Sequence, residues 1–180
     1  DARDDDALRV LALGIARRVA LDLAEPHDWR IPEHLDEAWR PQLEHHRDEP
    51  AHPFQPYGAT VGHGLEWSRL LVELEAALGA DAPGWLVTSA TSLFDRAVAD
   101  GWDADGAEGF VYTTDWSGRP VVRDRMHWVV AEALAAAATL HQRTGDERYT
   151  ELGQQWWDYA ERFLLDRELG SWHHQLDADN

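Results

Sequence analysis

Apolar residues recur along most of this chain at the three-to-four-residue spacing that places them on one side of a helix. The segment "DDALRVLALGIARRVALDLA" (5–24) opens on aspartates, which suit a helix N-terminus, and then repeats leucine, isoleucine and valine at that period. A second helix is predicted from near Gly62 through "LEWSRLLVELEAAL" to Gly79, a residue suited to leaving a helix. The third, "PGWLVTSATSLFDRAVADG" (83–101), has proline in its first turn and glycine at its end. The fourth, "RDRMHWVVAEALAAAATLHQRTG" (123–145), is dominated by alanine. The fifth, "DERYTELGQQWWDYAERFLLD" (146–166), follows a turn at Thr144-Gly145.

The connections alternate in length. Helices two and three, and four and five, are joined by a few residues, whereas 25–61, 102–122 and the stretch after 166 are long or rich in histidine, glycine and aromatic residues. Within the second of these, "FVYTTDWSGRPVV" (110–122) reads as a short β-hairpin turning at Ser117-Gly118. Long loops in a compact domain usually carry function. The expectation is an all-α chain of stacked helical hairpins, one domain over 1–180, with short turns at one end and a functional rim at the other. No short-period repeat of the tetratricopeptide kind is present.

Composition narrows the partners. The chain has 180 residues, enough for a sizeable core, with no apolar run of membrane length. Its 16 basic and 34 acidic residues leave a formal net charge of −18, which repels phosphate backbones and anionic lipid, so neither nucleic acid nor membrane is an expected partner. Cysteine is absent, which excludes disulfides and thiolate metal sites; with no leader-like segment before the first helix, the expected location is cytoplasmic. Ten tryptophans suit a sugar site and a core equally well.

The candidate chemistry begins at "TVGHGLEWSRLL" (60–71). On a helix, His63, Glu66, Trp67, Leu70 and Leu74 form one stripe, so an inward-facing first turn would present an imidazole, a carboxylate and an indole above leucines. Histidine is the natural proton carrier near neutral pH, and a nearby carboxylate fixes its tautomer. The same residues also read as a capped helix start with a surface glutamate. In the fourth helix Glu132 has apolar neighbours on both sides, an expensive place for an unpaired carboxylate, though an exposed position would also accommodate it. The tail "GSWHHQLDADN" (170–180) has Gly170 ending a helix; in an extended segment Trp172 and His174 point one way and His173 the other. A His-x-x-Glu pair can supply two metal ligands, but no His-Glu-x-x-His motif and no second matching pair occurs. No metal and no cofactor is expected.

Together "PEHLDEAW" (32–39), "HPFQPYGATVGHGLEWSRLL" (52–71), "DRMHWVVAEALAAAATLHQRTGDERY" (124–149) and "GSWHHQLD" (170–177) resemble the N-acylglucosamine 2-epimerase superfamily, and most of all its aldose–ketose isomerase branch of mannose and sulfoquinovose isomerases. The resemblance implies an (α/α)6 barrel, of which this chain matches the C-terminal half. The missing N-terminal half, or a second copy, then becomes an expected partner. It also implies a metal-independent isomerase acting on a monosaccharide, with His63 and His174 as general acid and base and Glu66 and Glu132 orienting and polarising them. Trp67, Trp128, His127, Glu33, His34 and Tyr57 are the expected sugar contacts. Arg69 is expected to pair with a structural carboxylate. The runner-up reading is a sugar 2-epimerase of the N-acylglucosamine or cellobiose type, and a second alternative is a non-catalytic sugar-binding or scaffold fragment.

Overall fold

Helix α1 (Asp6–Arg17) opens the part of the chain described by the computed structural model, residues 6–180. It runs straight into a wider π-helical stretch, Arg18–Ala24, and a single 3₁₀ turn, Glu25–His27. Asp28 and Trp29 then end it in left-handed conformations, φ 58° and 65°. Only the later part of this apolar stripe is covered: Ala16, Ala20, Leu23 and Ala24 are buried, while Leu8, Val10, Leu11 and Ile15 face outwards.

Four more helices follow: α2 (Val61–Leu78), α3 (Trp85–Gly101), α4 (His127–Thr144) and α5 (Arg148–Tyr159), the last extended by a π-helical turn, Ala160–Leu164. Helix α2 packs against both α3 and α4, and α4 against α5, so two short-turned hairpins lie side by side. Leu65, Leu71, Leu86, Leu93, Phe94, Val129, Leu140 and Trp156 form the centre of one continuous core. Small residues set the spacing. A Cβ on Gly62 would lie 2.3 Å from the Trp128 ring, so something must shift to admit one, and one on Gly64 would make a tight 3.1 Å contact with the Ala97 Cβ.

Short strands fix where α2 and α4 begin. β1 (Ala59–Thr60), immediately before α2, pairs with β2 (Thr113–Thr114), which pairs with β3 (Pro120–Val122), all antiparallel. β4 (Arg125–Met126), immediately before α4, pairs with β7 (Gln175–Leu176) from the C-terminal segment. Between them β5 (Leu165–Asp166) and β6 (Ser171–Trp172) form a hairpin of their own. The irregular loop 28–58 is held by side chains instead. Arg30 forks onto Asp100 at 2.7 and 3.1 Å, both nearly buried, and the Trp116 indole N–H donates to the Leu43 carbonyl at 2.7 Å. His34, His45, His46 and His52 stack in series, with successive ring centres 4.5, 4.0 and 4.2 Å apart.

The predicted helices and the hairpin at 110–122 are present, with three differences. Helix α4 starts at His127 rather than 123, because Arg125 sits in a strand with its guanidinium 1% exposed, bonded to Asp105 and to four backbone carbonyls, including that of Ala178. Gly170 does not end a helix. The helical run stops at Leu164, and Gly170, at φ 71°, closes the β5–β6 hairpin. The stripe His63, Glu66, Trp67, Leu70 and Leu74 is not the buried face of α2. All five are half-buried, whereas Val61, Leu65, Ser68, Leu71 and Val72 meet the core, because α3 and α4 flank the helix and leave the stripe partly open. Among the described residues no helix is long and apolar enough to cross a membrane.

Candidate active site

The first turn of α2 places His63 beside the incoming loop 28–58, where its Nδ1 donates to Glu33 Oε1 at 2.7 Å. A carboxylate can only accept, so this bond assigns the Nδ1 proton and leaves Nε2 as the working nitrogen. Burial alone would lower the histidine's pKa. The Glu33 hydrogen bond and charge, with the charges of Glu66 and Glu132, outweigh it and hold His63 above its ordinary value. The protonated, donating form of His63 is thereby favoured. Its ring lies 5.2 Å from that of Trp128, which in turn meets Tyr112 edge-on at 6.1 Å. Burial, and then the Glu33 charge, push the Tyr112 phenol up, so it stays a protonated donor.

The carboxylates around His63 differ in their engagement. Glu132 accepts from Arg69 Nε at 3.1 Å and from Nη2 at 3.0 Å, and Arg69 also reaches Glu73 at 2.9 Å. Among the described residues Glu66 makes no hydrogen bond or ion pair, which leaves its carboxylate available beside the imidazole. Arg69 is thus the structural partner of a carboxylate, and that carboxylate is Glu132.

One residue from Trp128, a second group forms where β4 meets β7. The His127 backbone N–H and ring Nδ1 both approach the His174 carbonyl, at 3.3 and 3.0 Å, and the two imidazole rings lie 5.0 Å apart. His127, Ala131, Ser171, Trp172 and His174 line an open groove of about 530 Å³. His173 is not among its walls; its N–H instead donates to the Leu164 carbonyl at 2.8 Å. The first turn of α4 therefore joins the two groups, with Trp128 against His63 and His127 against His174.

The remaining expected sugar contacts are distributed unevenly. Trp67 and Glu33 line an apolar cleft of about 780 Å³ together with Leu11 and Ile15 from the uncovered flank of α1 and Trp39 from the loop. His34 lies one residue beyond Glu33 and donates through Nε2 to the Pro56 carbonyl at 3.0 Å, which makes it a brace of the loop. Tyr57 is 8% exposed and belongs to the packed base of the loop, so it offers a sugar almost no surface in this arrangement. Two roles escaped the sequence. Glu33, rather than Glu66, makes the hydrogen bond to His63, and Tyr112, inside the predicted hairpin, joins the site. No group of three or more histidine or acidic side chains among the described residues is arranged to hold a metal ion.

Comparison with known proteins gives the arrangement a setting. The family model described as N-acylglucosamine 2-epimerase (GlcNAc 2-epimerase) matches residues 1–180. A D-mannose isomerase of Thermobifida fusca is 54% identical over 98% of this chain and 43% of its own length. Another, from Pseudomonas cannabina pv. alisalensis, is 44% identical over 94% of this chain and 42% of its own. A crystal structure of a D-mannose isomerase superposes with a TM-score of 0.92 at 28% identity, covering 99% of this chain and 45% of that one. The chain spans less than half the length of the relatives it matches.

Proposed function

Because the chain belongs to the N-acylglucosamine 2-epimerase family, we propose that it forms the C-terminal half of an (α/α)6 barrel in a longer polypeptide that interconverts an aldose and a ketose, with D-mannose and fructose as the pair. The observation that carries this reading is that the first turn of α4 sets Trp128 against His63 and His127 against His174. His63 is held by Glu33 as a raised-pKa acid, while His174 lines the open groove beside His127, with the two rings 5.0 Å apart.

Isomerisation of an open-chain aldose needs a base at the C2 proton and an acid at the carbonyl oxygen on C1. His174 removes the C2 proton as His63 Nε2 protonates O1, giving a cis-enediol; the proton returned to C1, with loss of the O2 hydroxyl proton to solvent, completes the ketose. Glu66 and Glu132 add negative charge that stabilises the imidazolium of His63. Trp128 offers a flat apolar face for the sugar, and Tyr112 a hydroxyl. All of these groups are protein side chains, and the proposed steps are written without a metal or a cofactor.

A 2-epimerase would use the same two histidines and return the proton to C2 on the opposite face, so product identity separates the two readings. The full-length polypeptide is incubated with mannose, glucose, fructose and N-acetylmannosamine, and products are identified by NMR. Fructose from mannose is expected; conversion restricted to C2 epimers would replace the isomerase reading with the epimerase one.

A further inference from the structure

Glu33 reaches His63 from a stretch, residues 31–34, that belongs to no helix or strand. No hydrogen-bonded ladder fixes such a carboxylate, so it keeps one position only where its neighbours are anchored by other contacts. On its C-terminal side, His34 donates through Nε2 to the Pro56 carbonyl at 3.0 Å, and the His34 carbonyl accepts from the Gln42 N–H at 2.8 Å. On its N-terminal side, the anchor is an ion pair to a different helix.

Arg30 forks onto Asp100 in the last turn of α3, with Nε donating to Oδ2 at 2.7 Å and Nη2 to Oδ1 at 3.1 Å. Its Nη1 reaches the Asp28 carboxylate at 3.2 Å. Arg96, one turn earlier on α3, braces the same residue, at 2.9 Å to its carbonyl and 2.8 Å to its carboxylate. The β2–β3 turn closes over the fork. Gly118 sits there at φ 83°, and a Cβ on it would lie 2.7 Å from Arg30 Nη2 and 2.8 Å from Asp100 Oδ1. Only Ile31, buried in the core, and Pro32, whose ring fixes φ, separate Arg30 from Glu33. A shift of the fork is therefore passed along a short, stiff segment to the carboxylate.

We propose that the Arg30–Asp100 pair, with its Arg96–Asp28 brace, is a positioning device that holds the Glu33 carboxylate against His63 Nδ1 and acts on the chemistry only through that imidazole. This rests on the reading of His63 as a working group of the site. The charges that act on His63 are Glu33 from the loop, Glu66 from its own helix and Glu132 from α4, the last shared with Arg69. Tyr112, on the other neighbour of Trp128, is held protonated and adds no charge. Neither Arg30 nor Asp100 is among these groups. A change in the fork that keeps its charge can therefore alter His63 only by moving Glu33. Hydrogen bonds weaken steeply as distance and angle depart from their optimum, so a small displacement of the carboxylate withdraws support from the imidazolium.

The test titrates His63 directly. Histidine ring signals of the full-length polypeptide are followed by NMR as pH is varied, with those of His63 assigned by their loss in His63→Asn. Arg30→Lys keeps the cation but lacks the fork. It is expected to lower the His63 midpoint, in the same direction as Glu33→Gln, and to add nothing when combined with Glu33→Gln. A midpoint unmoved in the folded Arg30→Lys protein overturns the proposal, as does one that moves equally far in the Glu33→Gln background. Should Arg30→Lys fail to fold, Arg96→Gln, a partly exposed change in the same network, is judged by the same two outcomes. No sugar is present in these titrations, so their result stands apart from whether mannose yields fructose, which decides the isomerase reading.

Discussion

At the scale of single residues, the site is organised by what each imidazole's second nitrogen touches. Glu33 keeps His63 above its ordinary pKa, so the acid form survives to higher pH than it would alone. In Glu33→Gln that support is lost and the pKa falls, because burial then acts with less opposition. Activity that needs protonated His63 is lost as pH rises through that pKa. The alkaline limb of kcat/KM plotted against pH is therefore expected at lower pH in the variant than in the wild type; an unmoved limb would remove Glu33 from this role. The adjacent histidines give a second comparison. His174→Ala is expected to lower kcat by about 10²–10⁴-fold, the range for a general acid–base group, and His173→Ala to change it far less. The place of His63 in the first turn of a helix was legible from helical periodicity, whereas His174 was singled out by the resemblance and sits between two short strands. The Glu33 partnership was not legible, because it spans 30 positions and an irregular loop, where no periodicity says which side chains meet.

Among the elements, α2 and α4 matter most, because each carries its imidazole in the first turn after a two-residue strand. Helical periodicity revealed both helices, but strands this short leave no alternation to read, so the true start of α4 was hidden by four residues that also suit a helix. The start of α2 is packed as tightly as glycine allows. Gly62→Ala would drive a methyl to 2.3 Å from Trp128, the ring that rests against His63. An overpacking cost of about 1–3 kcal/mol is expected, read as a lower denaturant midpoint with an unchanged m-value, together with reduced activity. The β4–β7 pairing depends on the buried Arg125–Asp105 pair. Burial alone would raise the Asp105 carboxyl, but hydrogen bonds from Arg125 and Arg123 outweigh it and hold the pKa down to about 2. A depressed carboxylate adds stability above its unfolded pKa and loses it as pH falls through the folded one. Acid unfolding monitored by near-ultraviolet circular dichroism is accordingly expected to include a loss between the ordinary aspartate pKa of 3.8 and about 2 that Arg125→Met removes. The same transition persisting in the variant would show that the pair does not set it.

For the molecule as a whole, the apolar flank of α1 is the feature that the chain's own contacts leave open. Leu8, Val10, Leu11 and Ile15 are exposed beside the cleft that reaches Trp67 and Glu33. In the proposed barrel this flank meets the remaining helices, so the isolated chain is expected to bind an apolar dye that the full-length polypeptide does not. The helical class was readable from periodicity, but this open flank was not, because a stripe of leucines looks the same whether its partner is present or absent. Proton transfer between side chains also predicts that EDTA leaves the full-length polypeptide active, whereas loss of activity restored by a divalent ion would require a different chemistry. The most direct measurement follows the migrating hydrogen. Mannose is converted by the full-length polypeptide in deuterated water, and the fructose is examined at C1 by NMR. Transfer through histidine exposes the proton to solvent, so fructose carrying deuterium at C1 is expected; fructose formed with none would denote a direct hydride shift and contradict the account.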